Sequence, residues 1–305
     1  MSKKKLRVVV LTRGGAERLL ELLSAVKEVE IAGVFLETLT EQKQALTRKL
    51  KRSIRYDGYL ATIRKLSTKV VGGRTAGADE LKAAQEAQDN LEQLSSELKI
   101  PIHRVADFHA EESINLLKAA DGDLGIVFGT NILRESVFGI PRLGSINVHQ
   151  GRAPLYRGGP TVFWELFNDE KEIGITIHFV ASKVDTGDII LQKILPLEYD
   201  FSRFGLDYEK FLSEYRALLH EPSAAMVVAA TELIASGRAQ RIKQDTNIGK
   251  RYRLPTKKEK DALYRLLKQR RHEKMSEVGK VRQAELAGVL TDANDTKKKT
   301  SQNSL

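Results

Sequence analysis

Asn147 and His149 stand two residues apart at the end of the run GSINVH, residues 144–149. A strand there points an amide and an imidazole to one face and, at its end, into one crevice. Asp185 lies in KVDTGD, a glycine-containing turn between two β-branched runs, IGITIHFVA (173–181) and GDIILQKILPL (187–197). A loop carboxylate so placed can reach the same cleft, orient the imidazole or take a proton. Acyl transfer from a carrier to an amine needs an amine that loses a proton, a stabilised oxyanion and a leaving nitrogen that gains one. Asn147 and a protonated His149 can hydrogen-bond the oxyanion, while Asp185 holds the imidazole charged and relays the proton through a water. Neither a serine or cysteine nucleophile nor a metal is required. Taken singly, each feature is ordinary: a strand histidine is usually structural, and an Asp-Thr-Gly-Asp turn is usually only a turn. For His178 a structural role fits as well as a catalytic one.

The elements that must position these residues alternate. LRVVVL (6–11) is a continuous apolar run, followed by the turn Thr12-Arg13-Gly14-Gly15 and the helical pattern AERLLELLSAVKEV. IAGVFL (31–36), IPIHRV (100–105) and DLGIVF (123–128) supply further strands, with HAEESINLLKAA as a helix between the last two. The pattern predicts an α/β fold, a doubly wound, mostly parallel Rossmann-like sheet whose ligand lies at the carboxyl ends of the strands. The charged stretch 38–98 reads as a helical insertion, and Phe204 to Ser236 as helix stopped at Gly237. The expected organisation is a catalytic domain over 1–200, a helical C-terminal extension over 201–275 and a disordered polar tail over 276–305.

A length of 305 residues suits one large core with an appendage, and the absence of cysteine excludes disulfides, thiolate zinc sites and cysteine nucleophiles. No metal site is expected, and the cytoplasm is the expected compartment. MSKKKLRVVVLTRGG imitates a leader, but its apolar run ends at Arg13, too short for one. No stretch reads as a membrane span. Of the net charge of +10, a surplus of eight sits between Lys250 and Lys274, with eleven Lys/Arg against three Asp/Glu. A basic segment of that kind is more often a solvated helix face than a nucleic-acid site.

The motifs together, IN-V-H, then P-x-YRG, then GITIHFV, then VDTGDII, resemble the formyltransferase family that includes glycinamide ribonucleotide, methionyl-tRNA and sugar N-formyltransferases. The resemblance is concentrated between Asp123 and Pro196. It implies the formyltransferase fold, 10-formyltetrahydrofolate as formyl donor, and Asn147, His149 and Asp185 as catalytic residues. It also implies a folate pocket lined by Gly129, Thr130, Asn131, Ile132 and Leu133 and by the loop Val180, Ala181, Ser182, Lys183, Val184. Backbone groups there would meet the pterin.

Departures from the family pattern bear on the acceptor. GRAP replaces the usual SLLP after the histidine, and the first turn lacks the Gly-Ser-Asn phosphate loop of the glycinamide ribonucleotide enzymes. The chain after the catalytic domain leaves little room for the β-barrel with which methionyl-tRNA formyltransferases grip tRNA. The expected partner is therefore a small-molecule amine, such as an amino sugar on a nucleotide, with Arg13, Arg157 and the adjoining Gly158 as acceptor-binding candidates. The alternatives are a methionyl-tRNA formyltransferase-like or RNA-binding protein using the basic segment 250–271, and a formyltetrahydrofolate hydrolase. Oligomeric state is not legible.

Overall fold

A computed structural model of the chain describes residues 4–38, 76–197 and 208–276. Most of the expected insertion (39–75) and all but the first residue of the expected tail (277–305) lie outside the described residues. Two compact units emerge: residues up to 198 together with 212–257, and residues 199–211 together with those from 258 onward.

The first unit is built on a seven-stranded sheet of order β3-β2-β1-β4-β5-β7-β8. Its strands are β1 (Leu6–Thr12), β2 (Val29–Glu37), β3 (Ile102–Val105), β4 (Leu124–Phe128), β5 (Ser145–His149), β7 (Glu172–Phe179) and β8 (Ile189–Pro196). Pairing is parallel from β3 through β5, and antiparallel where β7 joins β5 and β8 joins β7. β1 lies near the middle because Val8 to Leu11 can be buried on both faces. Val8 and Val10 pack into one core layer, Val9 and Leu11 into the other. The first layer is closed by α1 (Glu17–Ser24), through Leu19, Leu20 and Leu23, by Leu91 of α2 (Ala76–Glu97), and by Ala224, Val227 and Ala230 of α7 (His220–Ala235). The second is closed by Leu117 of α3 (Glu111–Ala119) and by Val137 and Phe138 of the short α4 (Glu135–Phe138). α5 (Phe163–Phe167) precedes β7, and α6 (Tyr208–Leu218) precedes α7.

The expected division at residue 200 falls elsewhere. α7 packs on α1 and on β5, β7 and β8, because its small buried residues recur at helical spacing and permit close approach. Residues 212–257 therefore belong with the sheet. The expected extension is also not helical throughout. Residues 236–256 carry β9 (Lys250–Tyr252), which pairs in parallel with β6 (Tyr156–Gly158) in a separate two-stranded sheet. Three-residue strands give no usable period, so neither was readable. Lys210–Ala235 is long and apolar enough to cross a membrane by length and composition alone, a test that the core helix of a soluble protein also passes. Its second half is the α7 that covers the sheet.

In the second unit residues 258–276 are helical, and Leu263 and Leu267, one turn apart, are buried. The remaining side chains of that helix are largely charged and exposed.

Candidate active site

Antiparallel pairing of β5 with β7 sets Asn147 opposite His178 and His149 opposite Thr176. Ile146 and Val148 of β5, and Ile177 and Phe179 of β7, pack toward the core layer of α1 and α7. Alternation therefore sends Asn147, His149, Thr176 and His178 to the other face, at the carboxyl end of β5. Asp185 enters from the β7–β8 turn with φ of 52°, a left-handed conformation that Asp and Asn tolerate better than most residues.

The carboxylate sits between two imidazoles. Oδ2 lies 3.4 Å from His149 Nδ1, and Oδ1 lies 3.5 Å from His178 Nε2. The Gly158 N–H donates to Oδ2 at 2.8 Å. Gly158 has φ of 74°, and a side chain there would meet Tyr252 O at 2.5 Å, so only glycine brings this N–H to the carboxylate. The outer edges of both rings face backbone carbonyls, His149 Nε2 donating to Tyr156 O at 2.7 Å and His178 Nδ1 to Phe179 O at 2.8 Å. Asn147 Nδ2 approaches His178 Nε2 at 3.4 Å. The loop after His149 is pinned by Thr176 Oγ1, which donates to Gly151 O at 2.7 Å, and by Gln192 Nε2, which donates to Ala153 O at 2.7 Å. Sequence reasoning passed over Thr176 and Gln192; their alternation onto the face of His149 was the available signal.

Burial alone would raise the Asp185 pKa, but the hydrogen bond with His178, the charges of both imidazoles and the Gly158 N–H outweigh it and lower it to about 2. For His149, burial dominates and pulls the pKa below its ordinary value, against the Asp185 charge and the Tyr156 carbonyl. Sequence reasoning expected Asp185 to keep His149 charged. In the closed site burial favours the neutral ring, yet both ring nitrogens face acceptors, so only the imidazolium donates to both. The ring is poised to take a proton when negative charge develops beside it.

A cavity of about 590 Å³, including its open mouth, adjoins this cluster. Asn147, His178 and Asp185 form its polar end; Val127, Leu133, Val180 and Val184 give it apolar walls, and Thr130, Asn131, Ile132, Ala181 and Ser182 complete it. Every expected pocket residue except Gly129, which follows β4, and Lys183 lines it. Its size and apolar sides suit a flat heteroaromatic ring. His149 does not line this cavity; it lines a smaller one of about 160 Å³ behind the carboxylate, with Tyr156, Arg157, Trp164, Glu165 and Tyr252. Among the described residues no group of three or more His, Cys, Asp or Glu is arranged to hold a metal ion.

The acceptor-binding candidates are placed differently from one another. Gly158 touches the centre through its N–H. Arg157 is buried, its Nε donating to Pro154 O at 3.1 Å and its Nη2 to Thr246 O at 3.0 Å, so its guanidinium braces the loop. Arg13 lies in the β1–α1 turn with Nε 3.3 Å from Glu37 Oε2, outside both cavities.

Residues 6–203 match the formyl transferase family. The chain belongs to that family. Among its curated relatives, the methionyl-tRNA formyltransferase of Azobacteroides pseudotrichonymphae is 32% identical over 161 residues, covering 52% of this chain and 47% of the relative. That of Chlorobium limicola is 32% identical over 179 residues, covering 59% and 53%. The chain thus spans about half the length of the curated relatives it matches. Glycinamide ribonucleotide transformylase 1 from Symbiobacterium toebii aligns with TM-score 0.50 at 17% identity, over 79% of this chain and 93% of that one, which establishes likeness of fold.

Glu165, buried on α5, reports on the formyl transferase core through pH. Burial raises its pKa to about 7 from 4.5, against the backbone N–H groups of Glu165 and Val162. A folded pKa above the unfolded one means a contribution present below pH 4.5 and lost as pH rises through 7. Glu165→Gln, neutral at all pH, should therefore melt with wild type near pH 4 and be the more stable at pH 8, by up to about 3 kcal/mol. Calorimetric melting at the two pH values checks this, and a difference unchanged with pH would contradict it.

Proposed function

We propose that the chain is a folate-dependent N-formyltransferase, moving a formyl group from 10-formyltetrahydrofolate to an amine. The observation that carries this reading is the carboxylate of Asp185, held between His149 and His178 at the polar end of a cavity lined by 130–133, 180–182 and 184. The donor supplies a formyl carbonyl bonded to nitrogen. Leu133, Val180 and Val184 would hold its ring, with backbone groups of the same segments meeting the ring's polar edge.

Asn147 Nδ2, at the floor of the cavity, donates to the oxygen that becomes negative as the amine attacks. Asp185 attracts the amine proton, and His149 Nδ1, 3.4 Å away, stores it as the imidazolium that satisfies both of its acceptors. The same proton returns to the leaving nitrogen as the intermediate collapses. His178, directly opposite Asn147, orients the carboxylate from the other side.

For the acceptor, a small amine is the reading we favour, because the cavity behind His149 is narrow and walled by Trp164 and Tyr252. The second reading, a tRNA acceptor, is supported by the methionyl-tRNA formyltransferase relatives and by the basic helical residues 258–276. Donor binding tests the shared part of both. Calorimetry with 5-formyltetrahydrofolate, an unreactive isomer, should give saturable binding that Ala181→Trp, which fills the cavity, weakens. A flat titration of folded wild-type protein would contradict the assignment.

A further inference from the structure

The stretch from Arg241 to Tyr252 runs along both parts of the structure that hold the Asp185 carboxylate. It first meets the turn that carries Asp185. Ile242 and Ile189 exchange backbone hydrogen bonds of 2.9 and 2.8 Å. Arg241 Nε lies 3.3 Å from Asp188 Oδ2, and its guanidinium stands 3.8 Å over the Phe179 ring. Gln244 Nε2 donates to Gly187 O at 2.6 Å. At Gly187 a side chain would lie 1.7 Å from Phe179 O, so the turn is pressed flat against β7 and the direction of its carbonyl is set. Farther on, the same stretch meets the strand that donates to the carboxylate. Thr246 O accepts from Arg157 Nη2 at 3.0 Å, the Lys250 N–H donates to Leu155 O at 3.2 Å, and β9 pairs with β6.

We propose that residues 241–252 clamp the Asp185 turn to the β6 strand, and that Gln244 is a positioning residue for the Asp185 carboxylate. Among these contacts Gln244 is the side chain that grips the turn within two residues of Asp185. Its Oε1 is buried without a hydrogen-bond partner among the described residues. A buried acceptor with no donor opposes folding, so the place of this amide rests on what its other end does. Releasing Gly187 O lets the turn move away from β7, which loosens the carboxylate from the Gly158 N–H and from both imidazoles.

The groups facing Asp185 are His149 of β5, His178 of β7 and the Gly158 N–H of β6; on its own turn Lys183 is exposed and Asp188 is paired with Arg241. The test is carbon-13 NMR titration of the Asp185 carboxyl in the full chain, assigned by comparison with Asp185→Asn. Gln244→Met keeps the volume and removes the donor, and its Asp185 midpoint should rise by about one pH unit. Gln244→Glu, which sets a carboxylate against the Gly187 carbonyl, should move it in the same direction and serves if the Met variant folds poorly. With formyl transfer as the activity, the Met variant should also lose about tenfold in kcat with donor affinity unchanged. A wild-type Asp185 midpoint in both variants overturns the proposal. The titration needs no substrate, so its failure is separable from failure of the functional reading on which the kinetic arm rests.

Discussion

Asp185→Asn is expected to lower turnover at least about 100-fold while leaving folate binding intact. Asn is nearly isosteric, tolerates the φ of 52° and still offers an oxygen to the Gly158 N–H, so the turn keeps its shape. What is lost is the charge between His149 and His178 and, in the proposed mechanism, the path by which the amine proton reaches His149. The variant also loses a definite amount of stability. The folded pKa of about 2 lies below the ordinary 3.8, so the carboxylate's contribution is present above pH 3.8 and lost as pH falls toward 2. That is worth about 2 kcal/mol at neutral pH, a melting difference of several degrees that should close on acidification. Turnover, folate affinity and melting measured on one preparation at 25 °C, where both proteins are folded, separate the effects. If Asp185 merely shaped its turn, activity would fall only in proportion to unfolded protein.

Asn147→Asp should be comparably damaging by a different route. It removes the donor from the floor of the cavity and sets a second carboxylate near Asp185, facing the oxygen that must become negative. Loss of a single oxyanion donor costs about 100- to 1000-fold in kcat, and the added repulsion acts in the same direction. In the proposed binding mode the donor's ring lies along Leu133, Val180 and Val184, at the apolar walls of the cavity rather than at its polar end with Asn147, so folate affinity should change little. Pre-steady-state turnover beside equilibrium binding checks it; normal turnover would remove Asn147 from the mechanism.

Much of this architecture was legible because its signals are long or chemically specific. The continuous apolar run at Leu6 to Leu11, followed by a glycine turn and a helical pattern, read as the first strand of an α/β unit, and the two-residue spacing of Asn147 and His149 predicted a shared face. Register was not legible. That Asn147 lies opposite His178 follows from an antiparallel β5–β7 pairing, which a strand pattern does not announce, and this is why His178 was left between a structural and a catalytic role. Arg157 was read as an acceptor-binding candidate from its place in the YRGG loop; its bonds to Pro154 O and Thr246 O depend in part on a segment nearly 90 residues away. Residues 236–256 were read as part of a helical extension because β9 is too short to show a period, and only the fold brings that stretch beside the β7–β8 turn.

The central claim, transfer of a formyl group from a reduced folate to an amine, is tested most directly by following tetrahydrofolate release from 10-formyltetrahydrofolate. The acceptors would be a panel of small amines, amino-sugar nucleotides among them, and methionyl-tRNA. Release that depends on one acceptor, appears stoichiometrically as its N-formyl product and disappears in Asp185→Asn is the predicted result. Release that proceeds equally in buffer without any amine, or no release with any acceptor from protein that binds the folate, would contradict it.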